Sequence, residues 1–191
     1  STKRQKSTSG IEQNIKTMLA SLSMANAQFK IDLKPSDVLS INGLDDISFL
    51  FTANKGIPAQ PLARVASGGE LSRIALVMQV MNAEKTEAEV LVFDEIDVGI
   101  SGGTAEVVGN LLRQLGERAQ ILCITHQPQV AAKGHSHWQV QKYTQDQKTL
   151  SRVIELTRQQ RIEEIARMSG GLTITQETLK HAESMLSNIS D

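Results

Sequence analysis

Three short stretches of this sequence carry the residue types that phosphate chemistry needs. The first is Ala66-Ser67-Gly68-Gly69-Glu70-Leu71-Ser72-Arg73, where a serine and two glycines stand ahead of Leu71, Ile74, Val77, Met78 and Met81 at helical spacing. Backbone N–H groups at a helix start have no partner within the helix. Glycine lets an anion come close to them, and the helix dipole favours negative charge there. The stretch therefore suits a phosphate, and it also suits a Ser-Gly-Gly turn that only caps the helix.

The second stretch, Val90-Leu91-Val92-Phe93-Asp94-Glu95, is an apolar strand closed by two adjacent carboxylates. Ligands of open α/β sheets gather at the carboxyl ends of the strands. One carboxylate there can hold Mg²⁺ and a second can orient a water for attack on phosphorus; the alternative is that both cap the following turn. The third, Ile121-Leu122-Cys123-Ile124-Thr125-His126, is another apolar strand with a polar pair at its end. If the two strands are parallel neighbours, Asp94 and His126 leave the sheet at one edge, and the imidazole can donate to a phosphate oxygen. A strand-end hydrogen bond is the plainer role for His126.

The elements that must position these residues can be read from periodicity. Ile11, Ile15, Met18, Leu19, Leu22 and Ala25 predict an amphipathic helix from Gly10 to about Gln28. Its polar start, Ser1 to Ser9, is what a longer helical arm cut short would leave. Alternation at Phe29, Ile31 and Leu33 and at Ile47, Phe49 and Phe51 predicts two antiparallel strands, and Gly56, Pro58 and Pro61 predict a loop over 54–61. Then come a helix over 70–82, strand 90–93, a helix over 103–115 and strand 121–124, a β-α-β unit whose all-apolar strands are expected to be buried on both faces. A hairpin, 137–143 and 150–156, and two helices, 160–168 and 175–187, complete an α/β chain.

Composition excludes several classes. The 191 residues are 40% hydrophobic with a net charge of −1, an ordinary globular balance rather than a disordered chain or a basic nucleic-acid coat. The apolar runs 90–93 and 121–124 are far short of the roughly 20 residues that cross a bilayer, and the polar first ten residues do not form a secretory signal, so a soluble cytoplasmic chain without membrane contact is expected. The single cysteine, Cys123, is expected to pack as a small hydrophobe. Aromatic residues are 3%, too few for a base-stacking platform, and Lys3, Arg4 and Lys6 are the only basic cluster.

The order of the three stretches, with a helix between each, resembles the C-terminal half of an ABC-type ATPase: signature at Ser67 to Glu70, Walker B at Val90 to Glu95, switch histidine at His126. The runs 65–73, 93–102 (Phe93-Asp94-Glu95-Ile96-Asp97-Val98-Gly99-Ile100-Ser101-Gly102) and 125–131, with Glu163-Glu164-Ile165-Ala166-Arg167-Met168 near the end, are similar to a bacterial DNA-repair family in the SMC-like branch, where helical arms interrupt the head.

That resemblance implies a C-terminal lobe of a P-loop ATPase head over 29–191, with 1–28 as the end of a returning arm. It implies ATP and Mg²⁺ as cofactors, with Asp94 supporting the metal, Glu95 as the base for the attacking water and His126 contacting the γ-phosphate. Ser67, Gly68, Gly69 and Glu70 would close on a nucleotide held by a second head, so hydrolysis would belong to a homodimer. Asp97, in the loop after Walker B, could aid that contact or cap a turn; transporters usually carry an aspartate where Ser101 stands here. No Gly-x-x-x-x-Gly-Lys-Ser/Thr occurs in the chain, so the resemblance places the phosphate-wrapping loop in a separate N-terminal half and predicts no ATPase activity from these residues alone. DNA as a partner, nucleoid association and a role in double-strand-break repair and recombination come from the resemblance only. Two other readings stand beside it: the nucleotide-binding half of a transporter, and a non-catalytic DNA-bridging or dimerisation module.

Overall fold

The computed structural model describes residues 2–64, 67–83, 89–94, 96–145, 148–170 and 173–187. The chain forms two compact units, Ser1–Ala88 with Val98–Ile100, and Glu89–Asp97 with Ser101–Asp191.

The first unit opens with helix α1 (Thr2–Ser21), followed by strands β1 (Gln28–Ser40), β2 (Gly43–Thr52) and β3 (Gln60–Pro61), a single 3-10 turn (Leu62–Arg64) and helix α2 (Gly68–Ala83). Helix α1 starts well before Gly10 and stops short of the predicted Gln28. It stops because Ser23 takes a left-handed φ of 64° and Met24 N–H returns to the Leu19 carbonyl at 2.9 Å, the closure of a Schellman motif. Ile15, Leu19 and Leu22 are buried with Phe29 and Phe51 from the strands and Ile74, Val77 and Val80 from α2.

The pairing follows the predicted alternation, with Phe29 opposite Phe51, Ile31 opposite Phe49 and Leu33 opposite Ile47 in an antiparallel ladder. Those six side chains therefore share one face, and the rings of Phe29 and Phe49 lie 5.7 Å apart. Helix α1 is tied to this hairpin by polar contacts: Glu12 Oε1 accepts from Ile31 N–H at 2.7 Å, and Arg4 donates to Asp45 at 2.9 Å and to the Asn42 carbonyl at 2.7 Å. The stretch expected to be a plain loop, 54–61, ends in the two-residue strand β3, which pairs with Leu50 and Phe51.

The second unit is built on strands β4 (Val90–Phe93) and β5 (Gln120–Cys123), joined through helix α3 (Gly102–Leu115). The strands are parallel, with Val90, Leu91, Val92 and Phe93 opposite Gln120, Ile121, Leu122 and Cys123. Helix α3 contributes Ala105, Val108, Leu112 and Leu115 to the buried interior.

One expectation fails here. The β4–β5 strands are not buried on both faces: Val90, Val92, Leu122 and Ile124 are exposed by 48%, 64%, 46% and 59%. Their alternation with the less exposed Leu91, Phe93, Ile121 and Cys123 follows from the strand period of two, so one side of this parallel pair lacks a covering layer among the described residues.

The unit continues with a short helix α4 (Pro128–Ala132), the antiparallel hairpin β6 (Trp138–Gln145) and β7 (Lys148–Glu155), and helices α5 (Arg158–Gly170) and α6 (Gln176–Ser187). Ala132, Ile165, Ala166 and Ala182 are fully buried where α4, α5 and α6 meet. Both terminal helices begin with reciprocal caps: Thr157 with Gln160, and Thr175 with Thr178.

Candidate active site

The Ser67-Gly68-Gly69-Glu70 stretch lies in the first unit, at the start of α2. Ser67 is exposed, its hydroxyl accepts from Glu70 N–H at 3.4 Å, and its carbonyl accepts from Leu71 N–H at 3.1 Å. Ser67 thus serves as the helix cap, which leaves its hydroxyl and the two glycines at the surface of the helix tip. Space for a Cβ at Gly68 is open, with nothing within 4 Å.

Gly69 is more confined. A Cβ there would lie 3.6 Å from the Gly99 carbonyl, and Gly99, at a φ of +74°, would place its own Cβ 3.1 Å from Gly69 Cα. Glycine at both positions lets the loop 98–100 lie directly against the helix tip. Arg73 fixes that tip from below, donating to the Gly69 carbonyl at 3.0 Å and to the Leu22 carbonyl at 3.3 Å.

In the second unit, the parallel register delivers Asp94 and the 124–127 segment to the same, carboxyl-terminal end of β4 and β5. Ile124 N–H donates to the Phe93 carbonyl at 2.9 Å, which carries the pairing one step past the strands. Asp94 is exposed at that edge. An exposed carboxylate suits Mg²⁺, which takes one or two protein carboxylates and fills its remaining positions with water and phosphate oxygens. Glu95 and the Val65-Ala66 pair lie outside the described residues.

Asp97 is the residue whose surroundings the sequence did not reveal. Its side chain is 1% exposed. Oδ2 accepts from the Thr125 hydroxyl, from His126 N–H at 2.9 Å and from Gln127 N–H at 3.3 Å. Oδ1 lies 3.4 Å from Nδ1 of His126, whose side chain is 68% exposed, and His126 Nε2 lies 3.2 Å from the Gln127 side-chain nitrogen. Thr125 Oγ1 in turn accepts from Gln127 N–H at 3.0 Å. A buried carboxylate needs such donors, and here they all belong to one turn.

Charge at this edge is felt by the strand behind it. Burial, and then the Asp97 and Asp94 carboxylates, push the Cys123 thiol up to about 12. The Ser67–Glu70 stretch and the Asp94–Asp97–His126 group thus belong to different units.

Solved structures of the same architecture define the class. A chain titled for ATP-driven dimerization and DNA-stimulated activation of SMC ATPases superposes with a TM-score of 0.59 at 17% identity, covering 85% of this chain and 93% of that one. The Smc head domain with a coiled coil and joint from Pyrococcus yayanosii gives 0.61 at 18% identity over 83% of this chain and 29% of that one. The fold is that of SMC head domains.

No family model matches the chain. Curated relatives are more specific. DNA repair protein RecN of Haemophilus influenzae is 47% identical over 184 residues, 96% of this chain and 33% of the relative, and RecN of Vibrio cholerae is 49% identical over 177 residues, 92% and 32%. RecN of Xylella fastidiosa is 40% identical over 190 residues, 98% and 34%. The chain is similar to these RecN proteins over nearly its whole length, and it spans about a third of the length of the curated relatives it matches.

Proposed function

We propose that this chain is the C-terminal half of an ATP-binding and hydrolysing SMC-like head that closes as a homodimer on ATP and acts in DNA double-strand-break repair and recombination. The observation that carries the reading is the parallel β4–β5 pair, which sets Asp94 and the His126 turn on one sheet edge. Strand ends of this kind are where α/β sheets bind phosphate ligands. The bare face of the same strands supports the view that a further segment, the N-terminal half with its Walker A loop, completes the sheet.

In this reading Asp94 holds the metal, which when bound would neutralise phosphate oxygens, and Glu95 aligns the attacking water. His126 contacts the terminal phosphate from the sheet edge. Ser67, Gly68, Gly69 and Glu70 present the α2 tip to the nucleotide of a second head, where backbone N–H groups and the helix dipole attract its phosphates. The relatives' name, DNA repair protein, supports the cellular role. Among the described residues no helix is long and apolar enough to cross a membrane, and a cytoplasmic, nucleoid-associated site of action is part of the proposal.

The test replaces Glu95 by Gln in the intact protein. An aligning base predicts ATP-trapped head dimers with hydrolysis reduced at least about a hundredfold, as removal of a general base typically does. Unchanged hydrolysis and no trapped dimer would favour the purely structural module instead.

A further inference from the structure

Helix α1 divides its charges between two sides. Arg4 and Glu12 turn toward the β1–β2 hairpin, Arg4 to Asp45 and the Asn42 carbonyl, and Glu12 to Ile31 N–H. Ile15 and Leu19 are buried on that same side, with Ile11 and Met18 partly covered. At about 3.6 residues per turn, Lys3, Lys6 and Lys16 fall on the opposite half of the helix, within about 140° of one another. All three are exposed, and among the described residues no salt bridge reaches them. Glu12 is the only acid in α1, so the outer half holds no negative charge.

We infer that this outer face of α1 is a docking surface for the phosphate backbone of duplex DNA, bound without regard to sequence. The inference rests on the proposed role in DNA repair, and it names the residues of this chain that meet the nucleic acid.

Lys3 and Lys16 are separated by about 20 Å of helix axis, and a duplex carries one negative charge about every 1.7 Å of its own axis, so each ammonium can find a phosphate at many crossing angles. Ser9 and Gly10, small and uncharged, leave the middle of the row open to a close approach. Lysine is a flexible point charge, which suits phosphate oxygens and carries no sequence information. Other occupants find less to hold. A protein partner needs apolar contacts at the centre of its interface, and a second helix needs an apolar seam; the outer half of α1 offers Ala20 alone. A membrane surface needs the apolar side of the helix, which is already occupied, with Ile15 and Leu19 at 2% and 0% exposure. Single strands are held by stacking on aromatic side chains, and α1 has none.

The test measures binding of a fluorescent duplex of about 40 base pairs by the intact protein across a salt series. Lys3→Gln, Lys6→Gln and Lys16→Gln together keep helix propensity and remove three phosphate contacts. The slope of log affinity against log salt should become shallower by about 2 to 3, and affinity at about 0.1 M salt should fall at least about tenfold for every duplex sequence, with DNA-free ATP hydrolysis unchanged. Lys3→Arg, Lys6→Arg and Lys16→Arg together should bind as the wild type does. Lys148→Gln with Arg152→Gln removes two exposed cations from the β6–β7 hairpin and should move the slope by less than about 0.5.

An unchanged slope in the triple Gln variant, or an equal change in the hairpin variant, would overturn the inference while DNA binding itself still stood. A wild type that binds no duplex at low salt would end the DNA reading and this inference with it. Losses that depend on duplex sequence would overturn the backbone assignment, and polyglutamate displacing the duplex as effectively as unlabelled DNA would overturn the choice of partner in favour of an acidic protein. A photo-crosslinker at Gln13, between Lys6 and Lys16, should capture the duplex; no capture there defeats the inference even if the Gln variant does not fold.

Discussion

Replacing Gly109 by Ala sets two opposing effects against each other within α3. Helix propensity alone favours the variant by about 1 kcal/mol, because glycine loses more backbone freedom on folding than alanine does. Space argues the other way. A Cβ at 109 would stand 2.9 Å from Lys133 Cγ, 3.1 Å from the Gln129 carbonyl and 3.2 Å from Val130 Cα, all shorter than the roughly 3.5–4.0 Å of an unstrained contact. Two of these atoms are backbone of α4. The third belongs to a side chain that is only 8% exposed and is held at its tip by Glu106 at 3.3 Å, so it cannot simply swing away. Overpacking of this kind costs about 1–3 kcal/mol, so Gly109→Ala should destabilise by about 1 kcal/mol net, and up to about 2. Gly103 is the control within the same helix, because nothing lies within 4 Å of a Cβ there. Urea unfolding followed by the fluorescence of Trp138, the single tryptophan, should show Gly109→Ala less stable than the wild type and Gly103→Ala at least as stable. A Gly109→Ala variant as stable as the wild type would refute the claim that α4 is seated on α3 through this glycine.

Gly99→Ala forces a left-handed backbone on alanine and crowds Gly69 Cα at 3.1 Å, so a loss of about 2–3 kcal/mol is expected in thermal unfolding, whereas Gly56→Ala, at a φ of +87° with open space, should lose only the roughly 1–2 kcal/mol of backbone strain. His137 is held below its ordinary value by burial and by Arg161, opposed by Glu164, and the folded chain therefore resists a proton that the unfolded chain accepts. Stability should fall as pH drops below about 6.5, and His137→Gln should flatten that slope when unfolding free energies at pH 7.5 and 5.5 are compared. With its thiol pushed up to about 12, Cys123 should resist an aromatic disulfide reagent at pH 8 until the chain is unfolded; rapid reaction of the native chain would contradict the burial and charge around it.

Elements with a strong period were legible because one physical rule governs them. The β1–β2 register was written in alternating Phe, Ile and Leu, and β4 and β5 in uninterrupted apolar runs. The end of α1 was not legible, because the left-handed stop is made by Ser23 rather than by the glycine that normally announces it. Nor was the open face of β4–β5: a run such as Val90 to Phe93 shows that both sides are apolar, and says nothing about which chain segment covers each. For the site, the strand-end position of Asp94 and His126 followed from the β-α-β pattern. The setting of Asp97 did not, because its partners stand 28 to 30 residues away and depend on how one loop folds under another. The caps of α5 and α6 were present in the sequence as Thr157 to Gln160 and Thr175 to Thr178, a readable signal that periodicity alone passed over.

The uncovered side of β4–β5 also bears on how this polypeptide behaves on its own. Val90, Val92, Leu122 and Ile124 form a small adhesive strip, and water contact there is unfavourable until something seals it. Polar replacements at these four positions should raise the soluble yield of the isolated polypeptide and, if the proposed N-terminal half covers this face, weaken that packing by the same chemistry. A screen for solubility and a screen for biological activity would then select opposite residues at the same four places.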